Sequence, residues 1–146
     1  MNLNKENVLI VDDNYDMLEL LQRNLKALNY HTYKASSVVE AINVLEESTI
    51  DLLVTDLQMP GMNGIELLKY AEEHYPTLPK LVITGFPSVT SALDAIKAGA
   101  KDYLAKPFTG EELKNTIHNL LAKTDASKEE KQSSSVAVKS KSQIYA

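Results

Sequence analysis

The sequence predicts a doubly wound α/β domain, a parallel five-stranded sheet with helices on both faces. Short apolar, β-branched runs alternate five times with segments whose leucines and alanines recur at helical spacing. The runs at 8–11 and 52–54 are apolar at every position, the pattern of strands buried on both faces. The connections are short, and right-handed crossovers between parallel strands place helices on either side of such a sheet.

The elements follow in order. Val8 to Val11 forms the first strand and ends in Asp12-Asp13. Leu18, Leu21, Leu25 and Leu28 then mark a helix, with Asn29 suited to closing it in the left-handed conformation. His31 to Ala35 reads as a shorter strand. Ser37 and Glu40 make a capping box before the stripe of Val38, Ala41, Ile42 and Leu45. Leu52 to Thr55 is the third strand, with Asp56 at its end, and the turn-rich stretch 59–64 follows. Asn63 and Glu66 cap a third helix carrying Leu67, Leu68 and Ala71, which stops before Pro76 and Pro79.

Lys80 to Thr84 is the fourth strand, followed by a loop at Gly85-Phe86-Pro87. Val89, Ala92, Leu93 and Ile96 mark a fourth helix closed by Gly99. Tyr103 to Ala105 is the fifth strand, ending at Lys106-Pro107, and Thr109 with Glu112 caps the last helix. Gly61, Gly64 and Gly99 are read as backbone devices for left-handed turns and helix ends. From Thr124 the chain turns Ser- and Lys-rich and loses its periodicity, so residues 1–123 are expected to fold as one domain and 124–146 to be a polar tail or linker.

Composition narrows the function. A chain of 146 residues that is 44% hydrophobic can bury one core but not two. The absence of cysteine excludes disulfides, zinc ribbons and thiol chemistry. His31, His74 and His118 lack the spacing of a metal or nucleophile site and read as surface histidines. A net charge of -5 argues against reading a nucleic-acid backbone. No apolar run approaches a bilayer span and the start is polar, so a soluble, cytoplasmic protein without membrane contact is expected.

In an open parallel sheet the site lies beyond the carboxyl ends of the strands, where the strand order reverses. Here those ends carry Asp12, Asp13, Asp56, Thr84 and Lys106. Clustered carboxylates repel unless a cation sits among them, and Mg²⁺ takes a few carboxylates, water and a phosphate oxygen. Asp56 can then act as a nucleophile toward phosphorus, giving an aspartyl phosphate. Lys106 would pair with one phosphate oxygen and the Thr84 hydroxyl would donate to another.

Through 8–14 (VLIVDDN), 56–64 (DLQMPGMNG), 83–85 (ITG) and 106–108 (KPF), the chain resembles the response-regulator receiver family over residues 7–123. The resemblance implies a flavodoxin-like sheet of order 2-1-3-4-5 and phosphoryl transfer from a sensor histidine kinase onto Asp56. It implies Mg²⁺, with Mn²⁺ as a substitute, held by Asp12, Asp13, Asp56 and the backbone carbonyl of Gln58. Thr84 and Tyr103 would form the switch, with Tyr103 turning inward as Thr84 moves toward the phosphate. The surface of helix four, strand five and helix five would then change for a partner, a second copy or an output domain. The Lys106-Pro107 bond resembles one that is cis in the family. By the same resemblance, Gly85 would leave the acyl phosphate accessible, while Gln58 and Phe86 would flank the entrance and tune its hydrolysis; bulky Phe86 suggests a long-lived phosphorylated state.

The segment from Thr84 to Tyr103 resembles receivers that head enhancer-binding transcription activators, which implies transcription regulation in a longer protein. The alternative is a stand-alone receiver acting through protein contacts. A nucleotide or flavin binder would want a phosphate-cradling loop after the first strand, where this chain has two acids. An aspartyl phosphatase would want a second acid two positions after Asp56, where Gln58 stands. Chemistry on external substrates is therefore not expected.

Overall fold

The computed structural model describes residues 6–57, 64–85 and 87–133, with side chains to residue 122. Its elements run β1 (Asn7–Val11), α1 (Tyr15–Ala27), β2 (His31–Ala35), α2 (Val38–Glu47), β3 (Leu52–Thr55), α3 (Gly64–His74), β4 (Lys80–Thr84), α4 (Val89–Lys97), β5 (Asp102–Ala105) and α5 (Gly110–Ser133). All four strand pairings are parallel and the order is β2-β1-β3-β4-β5. The order reverses beside β1, so the ends of β1 and β3 flank the switch point.

Strand periodicity sorts the core into layers. Val8 and Ile10 of β1, with Leu52, Val54, Leu81 and Ile83, pack against Leu18, Leu21 and Leu25 of α1 and Leu113, Ile117 and Leu120 of α5. Leu9, Val11 and Leu53 point the other way, onto Val38, Ala41 and Leu45 of α2 and Leu67 and Ala71 of α3. A smaller cluster joins Leu57, Leu68, Val82, Ala95, Ala98 and Ala100 on the α3–α4 side. The central strands β3 and β4 are buried at every residue, whereas β2 and β5 are half exposed. Truncating a buried leucine such as Leu53 to alanine would cost about 2–5 kcal/mol.

The helix signals operate largely as read. Ser37 Oγ accepts from the Glu40 amide at 3.1 Å, although the Glu40 carboxylate reaches back one residue further, to the Ser36 amide and hydroxyl. Thr109 and Glu112 form the reciprocal pair, at 3.0 and 2.9 Å. Asn29 and Gly99 adopt φ of 70° and 120°. All three histidines are exposed.

One reading changes, and two features were not read from the sequence. Gly64 is not among the residues with positive φ; its requirement is space, because a Cβ there would run into the Asp56 backbone carbonyl. The apolar stripe of α4 does not define its buried face: Val89, Leu93 and Ile96 are 78%, 54% and 49% exposed, and Ala95 carries the packing. Finally, the composition change at residue 124 does not end the last helix, since α5 continues to Ser133. Among the described residues no helix is long and apolar enough to cross a membrane.

Candidate functional site

Backbone hydrogen bonds beyond the strand ends hold the rim together. The Asp12 amide donates to the Ala35 carbonyl at 3.2 Å and the Asp56 amide to the Val11 carbonyl at 3.1 Å. On the far side, the Lys106 amide donates to the Thr84 carbonyl at 2.8 Å, and the Lys106–Pro107 peptide is cis. Residues far apart in sequence are thus carried to one edge by strand register alone.

Asp12, Asp13 and Asp56 each present a carboxylate oxygen within 4.8 Å of the others. Asp12 and Asp56 are buried and Asp13 is exposed, so the cluster opens to solvent on one side. The Asp12 Oδ1 accepts from the Asn14 amide at 2.9 Å, just ahead of α1, and Asp56 Oδ1 accepts from the Leu57 amide at 2.7 Å. Their other oxygens share one cation, the Lys106 Nζ lying 2.9 Å from Asp12 and 3.3 Å from Asp56. Burial alone would push the Lys106 amine down; the hydrogen bond and charge of Asp12, then those of Asp56, outweigh it and leave the amine above its ordinary range.

Three carboxylates against one ammonium leave a surplus of negative charge, and every donor is oxygen. This is the donor chemistry of a hard divalent cation, and the cluster is able to chelate one.

Thr84 is the last residue of β4, buried, and paired in register with Ala105. A Cβ at Gly85 would make only an ordinary contact with the Lys106 stem at 3.8 Å, so the loop passes over that lysine without crowding it. Tyr103 is half-buried on β5, and its hydroxyl bonds to the start of α4. Gln58, Phe86 and Asn63 lie outside the described residues.

Asn14 stands in the Asp12-Asp13-Asn14 turn ahead of α1, and three other residues, Ser88, Ser91 and the buried Lys80 at the opposite end of β4, escaped the sequence reading. Asn14 caps α1 through its side chain, accepting from Met17 at 3.0 Å, while its own amide holds Asp12. Ser88 caps α4 and Ser91 meets Tyr103; a serine just before the stripe was the available signal. Lys80 is fully buried, which a lone lysine at a strand start does not announce.

Residues 8–118 match the family described as response regulator receiver domain. The chain belongs to the response regulator receiver family. It is 37% identical over 133 residues to the transcriptional regulatory protein ZraR of Salmonella typhimurium, covering 91% of this chain and 30% of that one. It is also 37% identical over 105 residues to the response regulator protein PilR of Pseudomonas aeruginosa, covering 72% and 24%. The chain therefore spans about a quarter to a third of the length of the curated relatives it matches.

Among solved structures, a CheY-like receiver domain protein from Methanospirillum hungatei superposes with a TM-score of 0.82 at 27% identity, over 85% of this chain and 99% of that one. NtrX from Brucella abortus superposes at 0.85 and 25% identity, over 93% and 31%. The acids bridged by Lys106 match the phosphoacceptor site expected of a receiver, whose chemistry acts on the chain itself rather than on an external substrate.

Proposed function

We propose that Asp56 is the phosphoacceptor and that a sensor histidine kinase is the donor. The observation that carries this reading is the Lys106 amine shared between Asp56 and Asp12, a cation already placed where phosphate oxygens would arrive. An Asp56 carboxylate oxygen attacks phosphorus, the donor's bond to phosphorus breaks, and the leaving group departs with its electron pair. Lys106 then exchanges its carboxylate partners for a phosphate oxygen, and Thr84 donates its hydroxyl to another.

Asp12, Asp13, Asp56 and the Gln58 backbone carbonyl would hold Mg²⁺, or Mn²⁺ in its place. When bound, the ion supplies neutralisation of charge developing on the transferred oxygens.

Tyr103 and Thr84 form the switch, and phosphorylation shifts a two-state equilibrium that alters the surface of α4, β5 and α5. The exposed Val89, Leu93 and Ile96 support a protein partner there, either a second copy or an output domain. Residues 1–123 are the receiver and 124–146 a linker, and the relatives support transcription regulation in a longer protein. Gly85, Gln58 and Phe86 tune access of water to the acyl phosphate.

Incubation with a small acyl-phosphate donor and Mg²⁺, followed by intact mass, tests the reading. Wild type should gain one phosphoryl group and Asp56→Asn none; equal labelling of both would overturn it.

A further inference from the structure

Helix α4 is lightly attached. Ala95 is its buried residue, and its larger apolar side chains face solvent. Few buried contacts mark an element at the low-stability end of a fold, where one hydrogen bond is a large share of what holds it.

That bond joins Tyr103 to Ser91. The two hydroxyl oxygens lie 2.7 Å apart, and the Ser88 amide donates to the Tyr103 hydroxyl at 3.3 Å. Ser91 Oγ accepts from Ser88 Oγ at 3.1 Å and can donate its single proton either to the Ser88 carbonyl at 3.2 Å or to Tyr103, so either hydroxyl of the Tyr103–Ser91 pair can be the donor. The helix cap does not need this hydroxyl, because it runs from the Ser91 backbone amide to Ser88 Oγ at 3.0 Å. The Tyr103 ring meanwhile packs on the cluster containing Ala95, so its hydroxyl and its ring both bear on α4.

We propose that Ser91 is a positioning residue that ties the motion of Tyr103 to α4, so that the Val89, Leu93 and Ile96 surface responds to phosphorylation through this hydroxyl pair. The inference rests on Asp56 being the phosphoacceptor and Tyr103 the moving element. Turning Tyr103 breaks or remakes its bonds to Ser91 and Ser88, and α4 loses or gains its tether in the same step.

The test is hydrogen exchange of α4 amides in the whole chain, with and without acyl-phosphate donor and Mg²⁺, for wild type, Ser91→Ala, Tyr103→Phe and the double variant. Wild type should show a phosphorylation-dependent change in exchange rate. Each single variant should shrink that change about fivefold, the equivalent of a net hydrogen bond of about 1 kcal/mol, and the double variant no further. Ser88→Ala removes the cap and the Ser88 Oγ donor to Ser91 Oγ but leaves the Tyr103–Ser91 pair and the Ser88 amide in place, so it should fray α4 equally in both states and leave the ratio intact.

A wild-type ratio retained by Ser91→Ala, additive losses in the double variant, or phosphorylated wild type with no change in α4 would each overturn the role of Ser91. Wild type that gains no phosphoryl mass would instead overturn the reading of Asp56. Intact mass on the same samples separates the two.

Discussion

The Lys106 amine sits 2.9 Å from Asp12 across 94 residues of sequence, and 3.3 Å from Asp56. One mobile ammonium therefore occupies carboxylate oxygens that a divalent ion and a phosphoryl group would each claim. Its raised pKa keeps it charged throughout the range in which proteins function.

Competition between the two cations gives the first prediction. Even at the dielectric of water, a divalent ion about 4 Å from an ammonium is repelled by about 2 kcal/mol. Lys106→Met should accordingly bind Mg²⁺ about tenfold or more tightly than wild type while losing the phosphorylation-dependent change in α4. Titration of Mg²⁺ by calorimetry measures the first effect; unchanged affinity would show that the ammonium leaves the acids before the metal arrives.

Metal binding should also appear as stability. A ligand bound only by the folded state at a hundredfold excess over Kd contributes about 2.7 kcal/mol, which raises the melting temperature by several degrees. Asp13 is exposed, so Asp13→Asn should melt close to wild type without metal yet lose most of the Mg²⁺ shift. Thermal melts of both proteins across an Mg²⁺ series check this, and equal shifts would remove Asp13 from the site.

Strand ends and helix caps were legible because they depend on local pattern. The apolar run from Val8 to Val11 demands a buried strand, and Asp12 must then sit at its polar end. Lys106 could be placed at the same rim because parallel strands share one direction. What stayed hidden depends on neighbours distant in sequence. The crowding of Gly64 against Asp56 arises from how the chain enters α3, and no glycine reveals by itself whether it serves dihedral freedom or space. The buried face of α4 was not legible because a nine-residue helix with alanines and larger aliphatics offers two apolar stripes, and the smaller one fits closest to the sheet.

Gly64 furnishes the third prediction. The Gly64 amide donates to the Leu57 carbonyl at 2.7 Å, pinning the start of α3 to the segment that carries Asp56. Its added methyl would meet backbone, which cannot swing aside, so Gly64→Ala should destabilise the fold by about 1–3 kcal/mol. Displacement of Asp56 should also slow its phosphorylation by acyl phosphate. Urea melts and phosphorylation rates together test the claim; a wild-type value in both would mean that the turn relaxes without strain.

Lys80 supplies the last prediction. Its side chain is fully buried, and Nζ donates to Glu72 Oε1 at 2.9 Å and to the Leu78 carbonyl at 2.7 Å. Burial pushes its pKa down from 10.5, while Glu72 pushes it up. A base with a lowered folded pKa binds fewer protons folded than unfolded, so its contribution to stability rises as pH climbs from the folded pKa toward 10.5. Glu72→Ala strands the ammonium and lowers that pKa further. The loss should be about 2 kcal/mol at neutral pH, below that of a fully buried pair because the Glu72 side chain is 46% exposed. It should then shrink as pH rises through the folded pKa of Lys80, whereas Lys80→Met, which removes the charge and keeps much of the volume, should be close to neutral at pH 7 and fall progressively below wild type as pH climbs above that folded pKa, because it lacks the titrating amine. Lys106 and Lys34 carry raised pKa values and lose their stabilisation above 10.5, but that slope is common to all three proteins and cancels in the differences. Urea melts between pH 7 and pH 10 measure the differences directly, and a Glu72→Ala penalty independent of pH would mean that Lys80 remains protonated across the whole interval.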